Sequence, residues 1–194
     1  VAKEPKIGSD NVERLVVKVR IPMVPDHLQR RAGRYLSDVK KFCKTYDLDV
    51  AMVMALIHTE SYFNPKAKSH APAFGLMQLV PKSGGREAYK FVFGKDKSPN
   101  RYYLYNPINN IQLGTGYLRK MRLNEFKNVK NSQSALYCII SAYNTGPSNV
   151  AKAIVGKRDI KAAVDKINTM TPEELYTKLI RDLPYAETRD YIQK

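Results

Sequence analysis

The chain has 194 residues, 43% of them hydrophobic and 26% charged, which is enough for one globular domain with a real core. The 33 Lys and Arg against 18 Asp and Glu leave a formal charge of +15, which favours an anionic partner such as nucleic acid, anionic lipid or an acidic polymer. No run approaches the roughly 18 consecutive apolar residues that a membrane-spanning helix needs, and no HExxH or CxxC spacing points to a metal site.

Residues 12–24 carry a strand period, with Leu15, Val17, Val19 and Ile21 alternating with Val16, Lys18 and Arg20. No later segment offers a partner, and a lone strand is unstable, so this stretch is expected to be the edge of something that precedes it. Pro22 and Pro25 then break the chain. From Asp26 to about Tyr46 the pattern is helical, with Leu28, Tyr35, Val39, Phe42 and Cys43 along one face. Asp49 is the expected N-cap of a second helix over residues 50–62. Its first eight residues are apolar without a break, which predicts a helix central to the core. Asn64-Pro65 ends it.

Residues 64–74 read as loop, 75–80 and 83–93 as short helical pieces, and 94–107 as a long surface loop. Helices are expected at about 107–123, with Ile108, Ile111, Tyr117, Leu118 and Met121 on one face, and at about 132–143. Another at 148–155 is closed by Gly156, and a weaker one covers 159–167. Thr171-Pro172-Glu173-Glu174 is a capping box with proline at the first helical position. Residues 187–194 read as a last helix, so the fold class is mainly α with a short N-terminal strand. Cys43 and Cys138 lie in apolar helical stretches and read as buried free thiols, with a disulfide as the alternative in an exported protein.

Glu60 is the unusual residue. It follows Val53, Leu56 and Ile57 by seven, four and three positions, so it shares their face near the end of an apolar helix. A partly desolvated carboxylate has a raised pKa, which suits a general acid at neutral pH. The alternative is a helix-end glutamate that reaches water or pairs with a lysine, and spacing alone does not choose between them. His58-Thr59-Glu60 also spells the H-x-E of zinc deaminases, but the P-C-x-x-C that fold needs is absent.

A set of further motifs breaks the tie. Glu60-Ser61 is followed by Asn64-Pro65, Ser69, Gly75-Leu76-Met77-Gln78, Ala142-Tyr143-Asn144 and Glu187-Thr188-Arg189-x-Tyr191. This order resembles the four-motif pattern of lytic transglycosylases of the soluble-enzyme type, across residues 50–194. Pro25-Asp26-His27-Leu28, Asn106-Pro107-x-x-Asn110-Ile111-x-x-Gly114-Thr115-x-Tyr117-Leu118 and residues 167–172 are similar to a membrane-bound branch of that family. One departure is Thr145, where the family commonly has alanine after Ala-Tyr-Asn.

The resemblance implies a lysozyme-like α-helical catalytic domain over residues 26–194, with 1–25 a remnant of an N-terminal domain or linker. It implies cleavage of the MurNAc–GlcNAc β-1,4 bond of peptidoglycan without water, leaving a 1,6-anhydro-MurNAc end. Glu60 would act as acid and then base, with Ser69, Gly75, Gln78, Tyr143, Asn144 and Tyr191 binding the sugar or holding the glutamate. Ser61 is expected to support the helix end. No cofactor or metal is expected. The partners are peptidoglycan glycan strands and, through an N-terminal anchor in a longer protein, an anionic membrane surface, with no nucleic acid. The place of action would be the periplasm or cell envelope, with outer-membrane anchoring. The other readings are a hydrolytic lysozyme, or a non-catalytic glycan- or nucleic-acid-binding module.

Overall fold

The structure, a computed structural model, describes residues 2–7, 9–18 and 26–193. At the N-terminus β1 (Ala2–Ile7) and β2 (Glu13–Lys18) pair antiparallel, from Ala2 opposite Lys18 to Ile7 opposite Glu13. The expected strand therefore has a partner, and it lies upstream within this chain. β1 escapes a pattern search because Ala-Lys-Glu-Pro-Lys-Ile is mostly polar and contains a proline. The remainder of the expected strand, residues 19–24, and its proline breaks lie outside the described residues.

The helical body starts with α1 (His27–Gly33) and α2 (Leu36–Tyr46), where the sequence predicts one continuous helix. The break falls just after Gly33, and no residue of α1 is buried, so packing does not hold the two in line. α3 (Val50–Ser61) begins at Asp49, whose carboxylate accepts from the Met52 amide at 2.7 Å. It is less central than its composition predicts. Val53, Leu56 and Ile57 are buried, whereas Ala51 and Ala55 face solvent.

The centre of the core is α6 (Pro107–Leu123), which runs between α2, α4 (Gly84–Phe93), α5 (Arg101–Leu104) and α7 (Ser132–Thr145). Nine of its residues are buried, from Asn110 to Met121. Asn106 caps it, and Pro107 fills the first turn, where no amide partner is needed. Ile108, expected on the core face, is exposed because it sits in the first turn beyond the packed region. α5 interrupts the expected 94–107 loop, started by the Asn100 side chain accepting from the Tyr103 amide at 2.9 Å.

α8 (Pro147–Val155), α9 (Ile160–Ile167) and α10 (Pro172–Asp182) pack as a second group, with α8 touching α7, α9 and α10. The Thr171 capping box is present in both directions, Thr171 to the Glu174 amide and Glu174 to the Thr171 amide. α11 (Ala186–Tyr191) closes the chain against α10 and α7. Cys43 and Cys138 are both free and buried, and burial raises their thiols to about 11 and about 12.

Candidate active site

Glu60 stands in the last turn of α3, held there by how that helix ends. Ser61 is buried and its hydroxyl donates back to the Ile57 carbonyl at 3.1 Å, which secures the last turn as expected. Tyr62 and Phe63 then take positive φ of 50° and 58°. Consecutive left-handed residues with side chains cost roughly 1–2 kcal/mol each. The burial of Phe63 and its stacking on His58, centroids 5.9 Å apart, offset that cost. The reversal turns the chain away directly after Glu60 and leaves the carboxylate at the edge of the core.

Tyr191, 131 positions later on α11, donates its hydroxyl to Glu60 Oε1 at 2.8 Å. Burial pushes the Glu60 carboxyl up to about 7; the Tyr191 bond opposes that rise, and the charge of Glu187 adds to it. The carboxyl near Glu60 that matters electrostatically is thus Glu187, in the exposed first turn of α11. Tyr143, on α7, feels Glu60 as well. Burial and that neighbouring charge hold its phenol well above the usual tyrosine range. Its hydroxyl donates to the Met77 carbonyl at 2.6 Å, and its ring tilts against Tyr117 at 5.8 Å.

Residues 75–78 are a tight turn rather than the expected helical piece, closed by a bridge between Phe74 and Leu79. Gly75 has φ of 81° and Gln78 φ of 45°, conformations that suit a turn and end any helix. The Gln78 side-chain amide donates to the Gly75 carbonyl at 2.8 Å, leaving its side-chain oxygen for another partner. At Gly75 the side a Cβ would take is filled from within the protein, since a Cβ there would collide with the Asn110 amide and the Leu104 carbonyl.

Asn110 belongs to the 106–118 motif and is not among the expected site residues. It is fully buried on α6. Its Oδ1 accepts from the Met77 amide at 2.7 Å, and its Nδ2 donates to the Phe74 and Leu104 carbonyls, each at 2.9 Å. One side chain therefore fixes the turn that carries Gln78. Four positions on, Gly114 leaves room for the Met77 side chain, which any Cβ would strike. The available signal is that Asn110 lies seven and eleven positions before Tyr117 and Met121, on their core-facing side of α6, but sequence spacing does not say which backbone it meets.

The remaining expected residues fall in two groups. Asn144 stands in the last turn of α7, and its Oδ1 accepts from the Thr188 hydroxyl at 2.7 Å, joining α7 to α11. Ser69 is bonded differently. Its hydroxyl donates to the Ala71 carbonyl and accepts from the Ala73 amide at 3.4 Å, so the bonds it makes close its own loop. Behind Tyr191 lies a cavity of about 210 Å³ lined by Met52, Ala55, Leu56, Thr59, Leu136, Ile140, Tyr191 and Ile192. Its apolar walls make it an unsuitable seat for a sugar. Among the described residues, no group of three or more His, Cys, Asp or Glu side chains is placed to hold a metal ion.

The transglycosylase SLT domain family matches residues 38–165, a span that holds Glu60, the 75–78 turn, Tyr143 and Asn144. The chain belongs to this family. It is 41% identical over 181 residues to membrane-bound lytic murein transglycosylase C of Sodalis glossinidius, covering 93% of this chain and 50% of the relative. The protein of the same name from Klebsiella pneumoniae is 40% identical over 185 residues, with 95% and 51% covered. The chain thus spans about half the length of the curated relatives it matches. Among solved structures, the 70 kDa soluble lytic transglycosylase of Escherichia coli superposes with a TM-score of 0.59 at 25% identity, over 86% of this chain and 24% of that one. The mainly α, lysozyme-like fold class and the SLT kinship read from the motifs are therefore those of the molecule.

Proposed function

We propose that this SLT domain is a peptidoglycan lytic transglycosylase in which Glu60 acts first as acid and then as base. The observation that carries the reading is a half-buried carboxyl with a pKa raised to about 7 and a tyrosine, not a cation, as its hydrogen-bond partner. Such a group is divided about evenly between its acid and its base form at neutral pH, as two-step proton transfer needs. Glu60 gives its proton to the glycosidic oxygen as the C1–O bond breaks, and the departing sugar leaves with a hydroxyl. The Glu60 carboxylate then takes the proton of the C6 hydroxyl on the cationic sugar, whose oxygen closes on C1. The enzyme ends as it began, the glycan carries a 1,6-anhydro end, and no water is consumed.

Tyr191 would orient Glu60 and steady its ionised state, while Tyr143, by bonding the Met77 carbonyl, would hold the turn against the base of α7. Gln78, Asn144 and Ser69 would bind the sugar and its N-acetyl group, with Gly75 setting the turn. Residues 26–194 would form the catalytic domain. Residues 1–25 would be the remnant of another unit, since two strands alone are marginal in water. The names of the relatives and the +15 charge support action on peptidoglycan in the cell envelope, beside an anionic outer-membrane surface reached through an anchor in a longer protein.

One observation favours a second reading. Glu187 acts on Glu60 electrostatically, and a pair of carboxyls is the usual equipment of a hydrolytic lysozyme. Mass spectrometry of muropeptides released by wild type, Glu60→Gln and Glu187→Gln separates the two. Anhydro ends from wild type and Glu187→Gln, with none from Glu60→Gln, are expected. Reducing ends from wild type, lost in both variants, would replace this reading with hydrolysis.

A further inference from the structure

α11 carries Tyr191 yet has six residues and no side-chain cap at Tyr185. A helix this short does not hold itself in water, so its place is set by bonds to its neighbours. Arg189 donates to the Leu183 carbonyl at 2.6 Å, which ties α11 only to the chain just before it. The bonds that reach other helices are Tyr191 to Glu60 on α3 and Thr188 to Asn144 on α7. Thr188 and Tyr191 are one helical turn apart, so they share a face, and both are buried. The Asn144 amide turns its Oδ1 toward the Thr188 hydroxyl, so its Nδ2, which carries two N–H donors, points the other way.

We propose that Thr188 is a positioning residue, registering α11 against α7 so that Tyr191 meets Glu60 and the Asn144 N–H donors face a bound glycan's acceptor oxygens. This rests on the reading of Glu60 as the acid and base. Without the Thr188 hydroxyl, Asn144 is free to rotate and offer its oxygen outward, where sugar hydroxyls but not an N-acetyl carbonyl would suit it. Tyr191 also loses the pin one turn before it. The groups acting on Glu60 are Tyr191 and Glu187, both from α11, and both move with that pin, while Glu60 in turn acts on Tyr143 of α7.

The test compares wild type, Thr188→Val and Thr188→Ser in steady-state cleavage of soluble peptidoglycan strands across pH. Valine keeps the shape and removes the donor, and serine keeps the donor. Thr188→Val is expected to lower kcat/KM about tenfold, raise KM, and move the alkaline limb of the profile to higher pH as the Tyr191 bond weakens. Thr188→Ser is expected to return all three toward wild type. Should the valine variant not fold, Thr188→Ala, which removes the donor without placing a methyl against Asn144, carries the same expectations. A merely structural threonine would lower the melting temperature and leave KM and the pH limb in place. That result overturns the proposal, as does a serine variant as impaired as valine. A wild type without turnover would sink the functional reading itself, whereas an active wild type with indifferent variants sinks only the role of Thr188.

Discussion

The domain half-buries two glutamates in opposite ways. Glu125, which follows α6, meets the Lys120 ammonium, and that lysine also reaches Glu87 at 2.6 Å. The Lys120 and Glu125 side chains are each only 16% exposed, so this ion pair is a structural clasp between α4, α6 and the chain after it. Glu60 is given a neutral phenol and an exposed like charge instead, and burial lifts its pKa to about 7. A cation beside a carboxylate fixes its charge, and withholding one leaves a proton that can move. The difference between the two sites is the difference between holding the fold and doing chemistry.

The largest effect is expected from Glu60→Gln, which keeps the shape and abolishes proton transfer. Turnover of peptidoglycan should fall by at least about a thousandfold, measured by turbidity loss, while the protein stays folded. Stability should show the opposite sign of change. The unfolded carboxyl ionises near 4.5 and the folded one near 7, so the native state binds the extra proton between those values. Stability therefore falls as pH rises through that window, and urea melts of Glu60→Gln should lose this slope. A glutamine variant as pH-dependent as wild type would break the comparison.

Next in size is Asn110→Ala, which strands one buried amide and two carbonyls, all now paired. It should cost about 3 kcal/mol in urea unfolding and raise KM through the loosened Gln78 turn. Lys120→Met should cost about 2 kcal/mol by leaving Glu125 and Glu87 without their cation, with kcat per folded molecule unchanged. If Lys120→Met lowered kcat as Asn110→Ala raised KM, the clasp would belong to the active site after all. The smallest effect is expected from Tyr191→Phe. Removing the bond that opposes the rise should move the alkaline limb of activity upward, read from kcat/KM against pH.

The sequence exposes what short-range rules govern. Asp49, Asn106-Pro107 and Thr171-Pro172 mark helix starts because caps act within three residues. The position of Glu60 on a buried face follows from helical spacing, and its isolation from cations does not. Tyr191, Asn144 and Gln78 were legible only through resemblance, since nothing local links residue 60 to residue 191. Asn110 and Thr188 went unassigned because a buried polar side chain is defined by the backbone or side chain it meets, dozens of positions away. The 75–78 turn reads as helix in the sequence because Leu76 and Met77 are apolar, while positive φ at Gly75 and Gln78 makes it a turn. The N-terminal hairpin was half seen, β2 having a clear alternation and β1 a proline-containing polar run.

The most direct measurement is an NMR titration of the Glu60 side-chain carboxyl in protein labelled with 13C at glutamate Cδ, assigned through the Glu60→Gln spectrum. A carboxyl that keeps its proton for chemistry should titrate with a midpoint near 7, moving higher in Tyr191→Phe. A midpoint near the ordinary 4.5 would mean that Glu60 is a solvated helix-end glutamate, and would contradict the acid-then-base role assigned to it.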